Sequence, residues 1–385
     1  ESDHDDRLEG RPMETALELI RQSGLANLSI GNVAMFVIAG VLIYLAIAKN
    51  YEPLLLIPIG FGAILANLPM ADLGSYGDGI IALIYEAGIR TELLPPLIFL
   101  GVGALTDFRP LLGRPLTFLL GAAAQVGIVV AALSAGYLMD FNAQEAASIG
   151  IIGGADGPTS IFLASQLAPH LLGPIAVAAY SYMSLVPIIQ PPIMRMLTTR
   201  KERAIDMPQA IPVSQKTAIL FPIVTGLVAS LAIPSSAPLI GMLMLGNLLR
   251  ESGVTDRLRK TAGGALIDIV TLFLAVAVGA TMDAEHFLTY RTIMILVLGA
   301  VAFSFSTAGG VLFAKGLNLL LRTKINPCIG AAGVSAVPMS ARVVQQFVSD
   351  QTDGRVNPLM PAMGPNVAGV IGSAVAAGVF LMLLG

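Results

Sequence analysis

The amino-acid sequence predicts an all-α membrane protein that crosses the bilayer many times. Hydrophobic residues make up 55% of the 385 residues and charged residues only 12%, about half the charged share of ordinary soluble domains. The mean hydropathy is +0.79. Apolar runs near the roughly 20 residues needed to span a bilayer recur along the whole chain. These runs leave over no soluble domain of useful size.

The composition also excludes several classes of function. A net charge of −3 argues against nucleic acid as a partner, and the single cysteine, Cys328, excludes an internal disulfide and a cysteine-rich metal or iron–sulfur site. With only three histidines, histidine-based zinc or haem chemistry is not expected. The GGADG sequence at 153–157 is too short and too acidic to be a phosphate-binding loop.

The hydrophobic pattern predicts about ten or eleven transmembrane helices. The expected spans are 31–48, 51–67, 92–106, 116–139, 172–196, 217–234, 237–249, 263–282, 291–315 and 356–384. Residues 78–90 are either an interfacial helix or one more short span. Residues 1–12 are acidic and end just before Met13, so we expect them to be an appended segment outside the native protein. A short amphipathic surface helix is predicted at 14–26.

Basic residues give the chain a direction across the membrane. They cluster in the predicted loops at 195–216, 250–260 and 315–324. Under the positive-inside rule these loops are cytoplasmic. Arg90 and Arg291 lie on the other side and are exceptions to this orientation.

Two apolar segments, 146–168 and 326–347, are interrupted by glycine, proline and polar residues. Each glycine weakens a helix by about 1 kcal/mol and a proline such as Pro158 by about 3 kcal/mol. Lipid tolerates broken backbone only where protein or a water-filled cavity covers it. We therefore predict re-entrant hairpins or unwound helices at both places. The glycines expected to open them are Gly153, Gly154, Gly157, Gly330 and Gly333.

A cation site built from freed carbonyls, hydroxyls and one carboxylate is predicted at the first broken segment. Asp156 is the one carboxylate of the first segment, and an acid at membrane depth marks a functional site. The second segment adds Asn326 and Ser335, and Asn366 lies beside the helix-breaking Pro365. One carboxylate with neutral oxygens suits Na⁺ better than a divalent ion, which usually collects more acids. The alternatives are a simple kink near Asp156 and an N-cap role for Asn366.

Three further polar residues are candidates for chemistry. Arg342 offers a planar fork for a carboxylate, with Ser340 as a nearby donor, although Arg342 would alternatively snorkel to the interface. Tyr180 and Tyr182 follow the first broken segment. A buried tyrosine can donate a hydrogen bond or relay a proton, and an aromatic position at the membrane interface is the alternative.

The chain also matches itself at nearly fixed offsets. An offset of 180 aligns Ile149-Gly150-x-x-Gly153 with Ile329-Gly330-x-x-Gly333 and Asn67 with Asn247, and an offset of 176 aligns 103–107 with 279–283. The span at 51–67 leaves the Lys49 loop, whereas its copy at 237–249 arrives at the Arg250 loop. The copies therefore point in opposite directions, which predicts inverted-topology repeats at 13–205 and 206–385 with sites near the midplane. Shared helix composition is the alternative.

At these motifs the sequence resembles the β subunit of the sodium-pumping, biotin-dependent decarboxylases that act on oxaloacetate, methylmalonyl-CoA, glutaconyl-CoA or malonate. The resemblance covers Met13–Gly385. It rests on YEPLLLIPIGFG, GVGALTDF, IGIIGGADGPTSIF, AVAAYSYMSLVPIIQPPIM, GNLLRESGV, INPCIGAAGVSAVPMSARV and AMGPNVAGVIGSAVAAG.

The resemblance implies a subunit that decarboxylates carboxybiotin, exports Na⁺ from the cytoplasm and consumes a proton. It implies a partner subunit with the biotin carrier and carboxyltransferase, a small single-span γ or δ subunit, and an oligomeric complex surrounded by lipid in the cell membrane of a prokaryote. It also implies an elevator-like fold, in which a mobile core carries the hairpins and a scaffold holds still. The carboxylated substrate is chosen by the carboxyltransferase and not by this chain.

The resemblance further assigns roles to individual residues. Asp156 becomes the Na⁺ and proton site and Tyr182 the functional tyrosine. The remaining functional positions are Asn326, Gly330, Ser335, Arg342 and Asn366. We expect Arg342, Tyr182 and Asp156 to act in catalysis, and Arg342 with Ser340 to hold carboxybiotin. The rival hypothesis is a Na⁺-coupled carboxylate transporter without catalysis. A purely structural docking subunit would not need an interior Asp and Arg.

Overall fold

The computed structural model describes residues 18, 21–71, 73, 79–207 and 211–385. Within these residues every regular element is helical, which confirms the predicted all-α class. The predicted appended segment at 1–12 lies outside the described residues. So do residues 14–17, 19 and 20 of the predicted surface helix.

The described α-helices follow one another along the chain with short connections. They are α1 Ile30–Lys49, α2 Pro53–Ala66, α3 Ile80–Ile84, α4 Leu94–Leu105, α5 Arg109–Leu112, α6 Thr117–Ala124, α7 Val126–Leu138, α8 Ala143–Gly150, α9 Gly157–Leu167, α10 Leu172–Leu197, α11 Arg200–Arg203, α12 Gln215–Ala232, α13 Ala237–Glu251, α14 Asp256–Thr261, α15 Ile267–Ala280, α16 Ala284–Phe287, α17 Tyr290–Leu320, α18 Met339–Gln351 and α19 Leu359–Leu384. Short π segments lie at Tyr85–Arg90 and Ala262–Leu266, and 3₁₀ segments at Ile151–Gly154, Pro169–Leu171, Pro234–Ser236 and Pro327–Gly333.

Seven of the described helical segments are long and apolar enough to cross a membrane. An eighth span arises if Ile80–Arg90 and Leu94–Leu105, which are bent by 65°, count as one. In the described part of the ambiguous segment at 78–90, residues Ile80–Arg90 form a bent pair with the next helix. The predicted spans at 51–67 and 237–249 form α2, with 14 residues, and α13, with 15 residues. At 1.5 Å per residue these helices reach only about 20 Å, short of the roughly 30 Å hydrocarbon core. The count by length is therefore below the predicted ten or eleven.

Both predicted broken segments are interrupted in the structure. The first runs from α8 through the 3₁₀ segment Ile151–Gly154 to α9, with Ala155 in a left-handed conformation at φ 51°. The second passes from the 3₁₀ segment Pro327–Gly333 through an extended stretch that includes Val334 to α18. Each break thus lies at the glycines identified in the sequence.

The two broken segments begin at opposite ends of α17, a helix of 31 residues. Glu145, in the first turn of α8, pairs with Arg291 near the start of α17, with Oε1 and Nη1 2.7 Å apart. Ile325, just before the second segment, accepts a 2.8 Å hydrogen bond from Asn318 in the last turn of α17. The two segments therefore start at opposite ends of the same long helix.

The helices pack into two groups. The framework helices form a row in which α1 packs on α2, α2 on α15, α15 on α4, α4 on α13 and α13 on α12. The second group, called here the broken-helix bundle, comprises α6 to α10, α17 to α19 and the 3₁₀ segments Ile151–Gly154 and Pro327–Gly333. Contacts of α9 with α4 and of α19 with α13 join the two groups.

Equivalent contacts recur in the two halves of the framework. The buried Asn67 side chain donates a 2.7 Å hydrogen bond to the Met282 carbonyl, and Asn247 donates a 3.0 Å bond to the Thr106 carbonyl. These partners correspond to each other under the sequence offsets of 180 and 176. The helix α4 crosses α13 closely at Gly103 and Gly246, and α2 crosses α15 closely at Gly62 and Gly279. At each of these glycines an added Cβ would overlap a backbone carbonyl of the other helix. This matching supports the predicted repeat, which remains a prediction.

Candidate functional site

Asp156 lies where the first broken segment turns into α9. Its side chain caps the helix, with Oδ1 accepting a 3.3 Å hydrogen bond from the Thr159 backbone N–H. The left-handed Ala155 immediately before it directs the chain back towards the bundle. Only 6% of Asp156 is exposed. The carboxylate is therefore fixed by local backbone geometry at a position well inside the protein.

Two serines from distant parts of the chain converge on Asp156. Ser373 on α19 donates a 2.7 Å hydrogen bond to Oδ2, and the Ser335 hydroxyl lies 3.4 Å from the same oxygen. The Ser335 backbone N–H donates a 3.0 Å hydrogen bond to the Gly154 carbonyl. The two broken segments are thus joined directly beside the carboxylate. No positive side chain takes part in these contacts.

Asn366 lies next to this cluster. Its Nδ2 donates to the Ala332 and Val334 carbonyls at 3.0 and 2.9 Å. Its Oδ1 is buried and has no hydrogen-bond partner in the described residues. Because α19 has 3.6 residues per turn, Ser373, seven positions later, lies on the same face as Asn366. One side of α19 therefore presents both oxygens to the broken segments.

The carbonyls released by the breaks already accept hydrogen bonds from the protein. Those of Gly153, Gly154, Ala331, Ala332 and Val334 accept bonds from Ser306, Ser335, Gln190 and Asn366. Buried side-chain oxygens without a partner in the described residues include those of Thr159 and Asn366. The oxygens that remain available to a cation therefore belong mainly to side chains and not to the backbone. Of the predicted freed carbonyls, hydroxyls and carboxylate, the carbonyls named above already have hydrogen-bond donors.

The two tyrosines of α10 face different neighbours. The Tyr180 ring packs against Gly157 beside Asp156, where any added Cβ would overlap the ring. Its hydroxyl is buried without a hydrogen-bond partner in the described residues. The Tyr182 ring packs against Gly299, and its hydroxyl donates to the Leu296 carbonyl of α17. The structure therefore brings Tyr180, and not Tyr182, to the turn that carries Asp156.

Asn326 and Ser340 are engaged away from this cluster. Asn326 donates to the carbonyls of Arg203 and Ile205 and accepts from the Cys328 N–H, so it caps the second 3₁₀ segment. Ser340 is fully buried and accepts a 2.8 Å hydrogen bond from Gln190. Neither side chain contacts Asp156. Both join the second broken segment to its surroundings.

Arg342 is exposed on α18. Its guanidinium makes no hydrogen bond or ion pair within the described part of the chain, whereas its backbone N–H donates to the Pro338 carbonyl at 3.2 Å. Its guanidinium is therefore available to an incoming carboxylate but is not part of the Asp156 cluster.

The predicted structural glycines all lie at close crossings. A Cβ at any of them would press on another part of the chain: at Gly153 on Gly127, at Gly154 on Ser373, at Gly157 on Tyr180, at Gly330 on Gly310 and at Gly333 on Leu120. Small residues are what allow backbones to approach this closely within a membrane.

A cavity of about 270 Å³ lies between the framework helices and the broken-helix bundle. The bundle side contributes Asp156, Tyr180 and Ser335, and the framework side contributes Glu52 and Asp268 together with apolar residues of α2, α4 and α15. Asp156 therefore lies at the boundary between the two helix groups. This is where a displacement of one group against the other would change its surroundings.

Some of these residues were missed by reasoning from the sequence. Ser373 gave a usable signal, because it is a polar residue seven positions after Asn366 in an apolar helix and so shares its face. Thr159 gave a second, as a hydroxyl three positions after the capping Asp156. Glu52 and Asp268 gave none, because each lies at a helix end where acids are common.

A multi-pass helical fold with a buried carboxylate where two broken helices meet is typical of ion-translocating membrane proteins. Comparison with known families gives the particular member of this class. The chain belongs to the Na⁺-transporting oxaloacetate decarboxylase beta subunit family, whose model matches residues 31–384. The resemblance seen in the sequence motifs is thereby confirmed.

Individual relatives cover nearly the whole chain. The methylmalonyl-CoA decarboxylase subunit beta of Veillonella parvula is 58% identical over 370 residues, which are 95% of this chain and 96% of that protein. The glutaconyl-CoA decarboxylase subunit beta of Acidaminococcus fermentans is 57% identical, with 95% and 97% covered. The oxaloacetate decarboxylase beta chain of Klebsiella pneumoniae is 49% identical, with 96% and 99% covered. The chain is thus of the beta-subunit type of a multi-subunit decarboxylase.

Proposed function

We propose that this chain decarboxylates carboxybiotin and uses the reaction to export Na⁺ from the cytoplasm of a prokaryote, with consumption of a proton. The observation that carries the proposal is the buried Asp156 carboxylate with two serine hydroxyls where the broken segments meet. Membership of the Na⁺-transporting decarboxylase family supports the same assignment. A biotin carrier with its carboxyltransferase, and a small single-span γ or δ subunit, complete the complex.

Asp156 binds Na⁺ through its carboxylate. Ser335 and Ser373 add hydroxyl oxygens, and Asn366 adds its unpartnered Oδ1 when the ion draws these groups together. One negative charge with neutral oxygens matches a monovalent ion. Asn326 was part of the set predicted from sequence, and in this proposal it supports the second segment from its capping position. Protonation of Asp156 on the outer side removes the charge and releases Na⁺.

Arg342 receives the carboxylate of carboxybiotin at the face of α18. Its exposed guanidinium has no competing acid among the described residues, so it is free to form a bidentate contact. In the reaction the bond between the ureido nitrogen and the carboxyl carbon breaks, CO₂ leaves, and the nitrogen takes up a proton. Ser340, held by Gln190, positions the start of α18 and so the arginine.

The proton reaches the reaction by way of Asp156 and a tyrosine. Tyr180 lies next to the Asp156 turn, whereas the Tyr182 hydroxyl is engaged with α17. We assign the contact with Asp156 to Tyr180 and keep Tyr182 as the predicted functional residue towards α17. The energetics require such coupling, because export of Na⁺ against about 100 mV costs roughly 2.3 kcal/mol per charge before any concentration gradient.

Movement of the broken-helix bundle against the framework is the step that carries Na⁺ across. The position of Asp156 between the two helix groups supports this, since a shift of the bundle would alter which side the carboxylate faces. The repeat-related contacts of Asn67 and Asn247 lie within the framework and do not need to break.

The test is Asp156→Asn in the complex reconstituted into liposomes. CO₂ release and ²²Na⁺ uptake are measured together, with Asp140→Asn, the same change at an exposed position, as the control. The wild type and the control should couple both activities, and Asp156→Asn should lose both by about 100-fold or more. Decarboxylation that survives without Na⁺ uptake would place the reaction centre elsewhere. Na⁺ uptake driven by a carboxylate gradient without CO₂ release would instead identify a symporter.

A further inference from the structure

We propose that the cavity between the two helix groups is a cation-capture site, in which Glu52 and Asp268 attract Na⁺ and pass it to Asp156. The inference rests on the proposed function, because it names the entry route to the same ion site. It adds two binding residues on the framework side that belong to neither broken segment. It also assigns Tyr180 as the ligand that lies between the framework acids and Asp156.

The charge of the cavity is the first support. Among the described residues that line it, Glu52, Asp156 and Asp268 are acidic and none is basic. Neither Glu52 nor Asp268 has a side-chain hydrogen bond or ion pair within the described part of the chain. Like charges around a shared cavity repel each other unless a cation lies between them. The cavity therefore favours a small cation.

The second support is a buried polar group that faces the same space. Tyr180 lines the cavity, is only 1% exposed, and has a hydroxyl with no hydrogen-bond partner in the described residues. Asp156 and Glu52 line the same cavity as Tyr180. A buried hydroxyl without a partner costs about 1–3 kcal/mol. A bound cation or its water would satisfy this group and join the framework acids to Asp156.

The position of the acids gives the direction of capture. Glu52 is the residue at the N-cap position of α2, just after Lys49, and Asp268 lies in the first turn of α15, just after the basic loop at 250–260. Leu105, also at the cavity, accepts a hydrogen bond from Arg250. These framework ends are on the predicted cytoplasmic side. The cavity is thus the cytoplasmic entrance for the ion that is to be exported.

The acidic residues of the cavity also give Na⁺ and carboxybiotin different entry routes. Carboxybiotin carries a carboxylate, and an acid-lined cavity without a basic group repels it. Arg342, exposed on α18, does not line this cavity. Na⁺ and carboxybiotin therefore reach the protein by different surfaces.

The test compares Glu52→Gln, Asp268→Asn and the double variant in the complete decarboxylase complex. The control is Asp353→Asn, which changes the same charge at a highly exposed position after α18. Two quantities are measured: the Na⁺ concentration that half-saturates decarboxylation, and ²²Na⁺ affinity of the purified complex. Each single variant should raise the half-saturating concentration about two- to fivefold, and the double variant about tenfold. The control should match the wild type.

Ionic strength provides a second, independent measurement. Choline chloride screens exposed charges over a Debye length of about 10 Å at 0.1 M. The effect of Asp268→Asn should therefore shrink as choline is added, whereas that of the half-buried Glu52→Gln should persist. A purely structural role would lower the maximal rate and leave the Na⁺ dependence unchanged.

The outcomes separate this inference from the proposed function. Wild-type Na⁺ affinity in all three acid variants would overturn the capture site and leave the function intact. If the rate of decarboxylation by the wild type does not depend on Na⁺ and the variants bind ²²Na⁺ more weakly, the proposed function is overturned and the capture site is supported. Absence of ²²Na⁺ binding by the wild-type complex would overturn both.

Discussion

Ala155 shows how a single residue shapes the site. It adopts φ 51° and ψ 44°, in the left-handed region, although glycines flank the Ala155–Asp156 pair on both sides. This conformation costs an alanine roughly 1–2 kcal/mol. The turn places the Asp156 side chain at the start of α9, where it caps the helix and meets Ser373. Backbone strain is thus located directly beside the candidate ion site.

The two tyrosines of α10 form a matched pair at the same scale. Tyr182→Phe should lower the thermal stability of the Na⁺-free complex, because it removes a hydrogen bond worth about 1 kcal/mol. Tyr180→Phe should leave that stability unchanged or raise it, because its hydroxyl has no partner in the described residues. Saturating Na⁺ should then stabilise Tyr180→Phe less than the wild type, since ligand stabilisation scales with affinity.

Melting temperatures in choline and in Na⁺ buffers measure this difference. The proposal for Tyr180 fails if Na⁺ raises the melting temperature of both variants by as much as it raises that of the wild type.

At the scale of the elements, the second broken segment is held by a close crossing with α17. Gly310 on α17 and Gly330 in the 3₁₀ segment touch through their backbones, and a Cβ on either would overlap the carbonyl oxygen of the other. Ser306, one turn earlier on α17, donates a 2.7 Å hydrogen bond to the Gly153 carbonyl of the first segment. One face of α17 therefore positions both breaks.

Two glycines of α17 test this crossing. Gly310→Ala should destabilise the protein by about 1–3 kcal/mol and reduce decarboxylation, because the added methyl group forces the second segment away. Gly316→Ala has open space around the new Cβ, so better helix propensity should stabilise the protein by up to about 1 kcal/mol. Denaturant or thermal unfolding of the two variants gives the comparison. Equal effects of the two substitutions would mean that the crossing is not tight.

At the scale of the whole molecule, the framework combines two halves of the chain through matched contacts. Asn67 binds the carbonyl of Met282, and Asn247 binds that of Thr106. Each asparagine is at most 3% exposed. Each of these two bonds joins an asparagine of one half of the chain to a carbonyl at a helix end of the other half. The two halves therefore depend on each other for stability, as the proposed stationary framework requires.

If the halves are true structural repeats, their asparagines should be equivalent. Asn67→Ala and Asn247→Ala should each cost about 1–3 kcal/mol of unfolding free energy, because each leaves a buried carbonyl without its side-chain donor. The control is Asn27→Ala, whose bonds to Arg21 and Ser23 are exposed, and it should cost less than 1 kcal/mol. Unfolding of the purified complex measures all three. A cost at only one of the two buried asparagines would argue against equivalent halves.

The sequence by itself determined the membrane class and the places where two helices break, and it predicted Asp156 as the acid of the candidate site. These features are local, because hydropathy, helix-breaking residues and a lone carboxylate act through their own segment. The family followed from the motifs at the same positions. The helical period also points to Ser373, which lies seven residues after Asn366. The two side chains therefore share one face of α19.

Only the tertiary structure decided which neutral groups reach Asp156. Ser335 and Ser373 are 179 and 217 residues away in sequence and meet its carboxylate, whereas Asn326 caps a different segment. It also decided that Tyr180 faces the site, that Arg342 is exposed, and that the framework acids Glu52 and Asp268 line the same cavity. The physical reason is that these contacts depend on how helices cross, and the crossings are set by backbone contacts between distant glycines.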